Sequence, residues 1–284
     1  MSRPGKHIAR NFYPGGRWLY IKIYGGITTC DQLLTDVVYP AITRLLRSKA
    51  IVNWFFIRYN DPDFHLRIRV QLSSCDKLHT ALYAFNRRLE PKCNDRLIHK
   101  VTIDTYEREV ERYGEYAIDT TELLFGIDSH CICQLLKPLL NAGKGSDRWR
   151  LAFVWADAVM DALGIGLQHK WELMQKMSGS YMNEFGFNEH NIKTLAKRYR
   201  NMAEAIENLL KGQSTDEPSY LIIKRYSNKI KRLQQTTGMV QFNTPSILHM
   251  SMNRMFASHN RLNELVLYYC LERHYRKEVK KAEI

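Results

Sequence analysis

Acid is what this sequence is short of: 29 Asp and Glu stand against 42 Lys and Arg, a net charge of +13 over 284 residues. Glycine (15) and proline (8) are also sparse, which argues against a turn-dense all-β sandwich. No run of 18 apolar residues occurs, so the sequence predicts no transmembrane helix. The opening segment, residues 1–20, is basic but lacks the apolar core of a secretory signal. Six cysteines (Cys30, Cys75, Cys93, Cys131, Cys133, Cys270) are scattered through a chain too long to need staples. They are expected to be reduced thiols of a cytoplasmic protein. Phosphate-loop, zinc-protease and hydrolase-elbow motifs are absent; Gly143-Lys144-Gly145-Ser146 lacks the phosphate-loop spacing. Cys131 and Cys133 have no second pair, so no metal is expected there.

What is present suffices for a sizeable core: 45% hydrophobic and 11% aromatic residues. Residues 17–24 alternate as a strand and end at Gly25-Gly26. A helix follows, with Thr28 or Thr29 as cap, Leu33 to Leu46 as its apolar stripe and Pro40 as a kink. Residues 51–59 and 65–72 read as a hairpin across the turn Asn60-Asp61-Pro62-Asp63. A helix at 77–89 and a strand at 96–104 complete a sheet-rich part, residues 1–116. Residues 117–284 read as helices: 119–140, 147–164, 189–211, a basic helix after the linker 212–218, and a final helix from Pro245 to about 281. The expected fold is α+β within one domain, 1–284: a small, mostly antiparallel sheet early, packed with helices late.

The charge is uneven. Residues 221–284 hold twelve lysines and arginines against four acids, a net of +8. That stripe is either a solvated helix surface or a surface for an acidic partner.

Three constellations carry potential chemistry. Period two places His65, Arg67, Arg69 and Gln71 on one face of a strand, with Arg58 expected near them across the hairpin. Adjacent arginines repel, so this face is either ordinary surface or a cationic fork for a carboxylate or phosphate. Glu109 and Arg112 stand at i, i+3 and can pair; on spacing alone this is a surface ion pair. His249 and Asn253 stand at i, i+4, where Asn253 is placed to hold one ring nitrogen. A lone helix histidine is more often structural than functional.

Together these segments resemble a known family. Residues 54–69 (WFFIRYNDPDFHLRIR) resemble the signature block of the C-terminal domain of lantibiotic dehydratases, also called the thiopeptide-type bacteriocin biosynthesis domain. Residues 105–114 (TYEREVERYG), with Glu122-Leu123-Leu124-Phe125 and Asp128-Ser129, resemble the second block. Residues 246–254 (SILHMSMNR), with Arg261-Leu262-Asn263-Glu264, resemble the third. The order and approximate spacing agree along nearly the whole chain. One departure is Glu115, where the family often has a second glycine after Tyr-Gly.

The resemblance implies that this bacterial protein eliminates glutamate from glutamylated Ser and Thr side chains of a ribosomal precursor peptide, leaving dehydroalanine or dehydrobutyrine. It implies a separate partner that installs the glutamate from glutamyl-tRNA, since 284 residues are too few for both halves of a class I dehydratase. Homodimerisation is left open. It assigns catalysis to Arg67, Arg69, Glu109, Arg112 and His249, expected to converge on one cleft. Arg58, His65, Asn253 and Arg254 are expected to bind substrate, and no cofactor or metal is expected. Two rivals stand beside this reading. One is the formal [4+2] cycloaddition that builds the thiopeptide pyridine. The other is a non-catalytic module that holds a leader peptide or tRNA for a glutamylating protein.

Overall fold

The computed structural model describes residues 8–283 apart from Ser214 and Met239, and the backbone alone at Ser146. The first seven residues of the basic opening segment and one residue of the linker 212–218 therefore lie outside the described residues. The chain packs into two compact units: residues 1–130 with 239–243, and residues 131–238 with 244–284.

The first unit is built on a four-stranded antiparallel sheet of β2 (Trp18–Gly25), β3 (Ile51–Asn60), β4 (Phe64–Leu72) and β5 (Ile98–Asp104), in the order β3-β4-β2-β5. A two-stranded ribbon, β1 (Asn11–Phe12) with β6 (Tyr106–Glu107), stands beside it. The hairpin predicted at the Asn60-Asp61-Pro62-Asp63 turn is present, with Tyr59 opposite His65 and Ile57 opposite Arg67. One face of β4 carries Leu66, Ile68, Val70 and Leu72, all fully buried. Three helices pack on that side: α1 (Ile27–Leu33), α2 (Tyr39–Arg47) and α3 (Leu78–Asn94).

Pro40 does not kink the first helix; the chain passes from α1 into α2 through a π-helical turn, residues 34–38. The wider turn brings Pro40 to the start of α2, where its missing N–H and ring cost least. The cap is Gly26, with no side-chain hydrogen bond, rather than a threonine.

Two short elements close the unit: α4 (Val110–Tyr113) and the first half of α5 (Ile118–Asn141). Gly126 lets α5 approach β3, because a Cβ there would lie 3.0 Å from the Trp54 carbonyl and closer still to Asn53 Oδ1. By length and composition α5 is apolar enough to cross a membrane, which the sequence reading overlooked. Its apolar window is 56% buried inside the protein, and it carries the buried Glu122 and Asp128. It therefore reads as a core helix.

The second unit takes the rest of α5 and is otherwise α6 (Arg148–Ala162), α7 (Leu167–Glu184), α8 (Glu189–Leu210), α9 (Glu217–Thr236), α10 (Thr244–Met255) and α11 (Asn260–Ala282). The α+β division predicted from sequence is thus present, with the strands of the described residues confined to the N-terminal part. The single final helix expected from Pro245 is instead two. His259 adopts a left-handed conformation (φ 50°) and redirects the chain between α10 and α11.

Candidate functional site

Register sorts the first constellation. On the face of β4 away from α1–α3, His65, Arg67, Arg69 and Gln71 stand opposite Tyr24, Lys22, Tyr20 and Trp18 of β2. On the other side Arg67 and Arg69 stand opposite Ile57 and Phe55 of β3. Arg58 stands opposite Leu66 and so belongs to the helix-covered face. There it is 2% exposed and ion-paired with Asp31 of α1 at 2.7 Å. The expectation that Arg58 lies near Arg67 and Arg69 across the hairpin is corrected: odd and even positions of a strand face opposite ways, and Arg58 is out of phase with Arg67.

Arg67, Arg69, Glu109 and Arg112 line one cavity of about 490 Å³, together with Lys22 and Asp104. Four of the five candidate catalytic residues are therefore together in the first unit. Arg69 is 9% exposed and lies between aromatic rings, its guanidinium carbon 4.7 Å from the Tyr20 centroid, 4.9 Å from Tyr106 and 5.4 Å from Phe55. Cation–π attraction holds the planar group there without a counter-charge. Arg67 lies over the Tyr59 ring at 3.4 Å.

His65 has no exposed surface. It stacks on Tyr24 at 4.5 Å, its Nδ1 lies 2.7 Å from the Asp63 carbonyl, and its Nε2 accepts from Arg67 Nε at 3.0 Å. A ring that donates at Nδ1 and accepts at Nε2 is neutral, and its role is to aim Arg67. Burial pushes its pKa below the ordinary 6.5, with the nearby Arg67 acting in the same direction. A histidine held neutral adds stability above its unfolded pKa, and that stability is lost as pH falls. Wild type is expected to lose stability relative to a His65→Gln variant below about pH 6.5, in paired urea titrations at pH 5 and 7.5.

The charges around the cavity are mostly matched. Lys22 pairs with Asp104 at 2.5 Å, and Arg112 with Glu109 at 2.9 Å, the i, i+3 pair anticipated. Arg10 pairs with Glu107 at 3.2 Å and Glu111 at 2.5 Å. Arg108 grips Glu122 with two nitrogens, at 2.8 and 2.5 Å, and reaches Asp119 at 2.8 Å. Among the described residues, Arg67 and Arg69 alone of the cations lining this cavity have no carboxylate within 4.0 Å. Arg69 Nε is buried without a hydrogen-bond partner. Two forks of one sign, partly desolvated and without a counter-charge, have the chemistry to accept a carboxylate or phosphate.

The second unit holds His249 on α10. Its Nδ1 lies 2.9 and 3.1 Å from the two oxygens of Glu264, on α11. Glu264 is fully buried and also accepts from Tyr181 (2.7 Å) and Tyr268 (3.0 Å). The group holding the ring is thus Glu264 and not Asn253, because the break at His259 brings the start of α11 back against α10. With Nδ1 directed at the carboxylate, the opposite nitrogen, Nε2, is the one left for proton transfer. The Tyr181 and Tyr268 hydroxyls are pushed up by burial and by the Glu264 charge, so both stay protonated donors. Arg254 is 0% exposed. Asn253 is partly exposed, and its backbone carbonyl accepts from Asn260.

Sequence reasoning missed Arg108, Glu122, Glu264, Tyr20 and Tyr106. Tyr106, Arg108, Glu122 and Glu264 occur only inside the longer blocks that carry the family resemblance. Alternation did place Tyr20 on a face, but strand order alone could not say that β2 neighbours β4. Cys131 and Cys133 are fully buried on α5, and no group of three or more His, Cys, Asp or Glu among the described residues is arranged to hold a metal. Burial raises the thiol of Cys30 to about 11 and that of Cys270 to about 12, so neither is a nucleophile near neutrality.

Comparison with known proteins places the architecture. The chain is 26% identical over 281 residues to the nisin biosynthesis protein NisB of Lactococcus lactis subsp. lactis, covering 93% of this chain and 26% of NisB. It is 23% identical over 267 residues to the subtilin biosynthesis protein SpaB of Bacillus subtilis, covering 89% of this chain and 25% of SpaB. The chain thus spans about a quarter of the length of these relatives. The crystal structure of the tRNA dependent lantibiotic dehydratase MibB from Microbispora sp. 107891 superposes with a TM-score of 0.71 at 23% identity, over all of this chain and 29% of MibB. The pyridine synthase TbtD from thiomuracin biosynthesis superposes at 0.63 with 14% identity, over 92% of this chain and 98% of TbtD. Both likenesses concern the fold. The family model described as the C-terminal part of lantibiotic biosynthesis dehydratases matches residues 18–275, and the chain belongs to that family.

Proposed function

We propose that this protein eliminates glutamate from glutamylated Ser and Thr side chains of a ribosomally made peptide, leaving dehydroalanine or dehydrobutyrine. The glutamylation it depends on is supplied from outside these 284 residues. The observation that carries the reading is the pair of arginines without a counter-charge in a cavity whose other cations are all matched.

The reaction breaks two bonds on the esterified residue. A base takes the α-proton, the electron pair of that C–H bond forms the Cα=Cβ double bond, and the Cβ–O bond breaks to release glutamate as a carboxylate. The α-proton of a peptide residue is weakly acidic, so negative charge gathers on the neighbouring carbonyl oxygen and on the departing carboxylate. Arg67 and Arg69 meet these anions as preorganised donors, Arg67 aimed by His65 and Arg69 caged by its rings. Glu109 orients Arg112 at the cavity rim. His249 is assigned proton transfer, with Glu264 fixing its tautomer and stabilising the charged ring as a proton arrives. Partly exposed Asn253 is left as a contact for the peptide.

The test is direct. A synthetic peptide bearing a glutamyl ester on serine is incubated with purified protein and followed by mass spectrometry. The expected result is release of glutamate and appearance of dehydroalanine. An unchanged ester, under conditions in which the protein is folded, overturns the reading. A doubly dehydrated peptide that instead loses its leader and gains a pyridine places the chain with the cycloaddition enzymes.

A further inference from the structure

Strand β5 is an edge: it pairs with β2 on one side, and among the described residues no strand covers its other side. Native edges of this kind are usually blunted by charge, proline or a covering helix. Here His99 and Lys100 mark the start of the strand, while the stretch that follows is Val101-Thr102-Ile103, a β-branched run without charge. Val101 and Ile103 stand opposite Ile23 and Ile21, so they belong to the helix-covered face of the sheet. They nevertheless remain 40% and 45% exposed. The reason is a groove of about 410 Å³ between β5 and α3, floored by Ile21, Leu82, Phe85 and Leu89. The far end of the same strand is functional ground: Asp104 and Thr105 line the cavity that holds Arg67 and Arg69.

From this juxtaposition we propose that β5 is the docking edge for the substrate peptide, which adds to the sheet as an extended strand with alternate apolar side chains in the groove beside α3. The proposal rests on the elimination reading and deepens it by naming where the peptide flanking the reacting residue is held. An unpaired sheet edge presents a row of N–H and C=O groups whose spacing another extended backbone matches along its length. The period-two alternation of that backbone sends every second side chain to the α3 side, where the groove is apolar. Seven residues of β5 guide roughly 23 Å of peptide at about 3.3 Å per residue. A chain leaving the strand at Asp104 arrives at the cavity, which ties this occupant to the site more directly than a second copy of the protein.

Two glutamyl-ester probes separate docking from chemistry. One is a tripeptide with a central esterified serine. The other carries the same centre and an eight-residue flank that alternates valine or isoleucine with threonine. With the wild-type protein, the long probe is expected to show a KM about tenfold below that of the short one, at similar kcat. A Val101→Lys, Ile103→Lys variant is expected to lose that advantage while its turnover of the short probe is unchanged. Hydrogen exchange of the unmodified protein provides the second measurement, with slowed amide exchange across residues 98–104 expected when the long probe is added. Glutamate released from both probes with equal KM, and no slowing at β5, overturns the docking proposal and leaves elimination standing. No release from either probe overturns elimination, and exchange at β5 still decides docking. A dimer seen by light scattering, with β5 protected before any probe is added, assigns the edge to a second copy and also overturns the proposal.

Discussion

A His249→Ala variant is expected to lose roughly two to four decades in the rate of glutamate elimination while binding the glutamylated peptide with nearly unchanged affinity. The imidazole is 23% exposed at the side chain and is held at Nδ1 by Glu264, so its removal deletes a proton-transfer group more than a packing contact. Such a task is performed only in the transition state, and its loss therefore falls on kcat and leaves ground-state binding in place. The measurement is single-turnover release of glutamate from a preformed ester, beside a binding titration of the same peptide. A companion Glu264→Gln variant is expected to give a smaller loss in kcat, because an amide oxygen can still accept from Nδ1 and keep the ring in place. A His249→Ala protein that eliminates at the wild-type rate removes His249 from the mechanism.

An Arg67→Ala variant is expected to slow elimination about 10²–10³-fold, equivalent to ~3–4 kcal/mol in the barrier. It is also expected to weaken the hold on the glutamyl carboxylate. The effect follows from the charge accounting in the cavity. Removing Lys22 or Arg112 would strand a neighbouring carboxylate, whereas Arg67 has no carboxylate partner there. An Arg67→Lys variant separates charge from shape: ammonium restores charge but neither the planar fork nor the stacking on Tyr59. Recovery to within tenfold would mean that charge alone suffices, and persistence of the full loss assigns the effect to bidentate geometry. Arg69→Ala is expected to match Arg67→Ala in rate but also to lower stability, because it empties a space between Tyr20, Tyr106 and Phe55. The denaturation midpoint distinguishes the two variants.

Much of this protein was legible in its sequence. Alternation in β4 separated Leu66, Ile68 and Val70 from Arg67 and Arg69, because strand geometry is a local rule with period two. The turn residues set the hairpin, and the helical stripes set α5, α6 and α8 to within a few residues. The Glu109–Arg112 pair followed from spacing alone, and it formed at 2.9 Å. These are short-range consequences of backbone geometry, and one segment contains all the information they need.

Only tertiary structure decided the rest. Which face Arg58 takes depends on register across the hairpin, and its match to Asp31 lies in a different element. That Arg69 is stabilised by rings and not by a carboxylate depends on Tyr20 of β2, Phe55 of β3 and Tyr106 of β6 being brought around it, which strand propensity does not encode. The expected partner of His249 was the residue one turn away, yet its partner is Glu264, fifteen positions on, because one left-handed residue at 259 turned a predicted single helix into two. Local periodicity determines which side chains share a face. The long-range packing that closes one face against another determines which of them lose water and keep an unmatched charge, and that loss is what makes a surface arginine into a site.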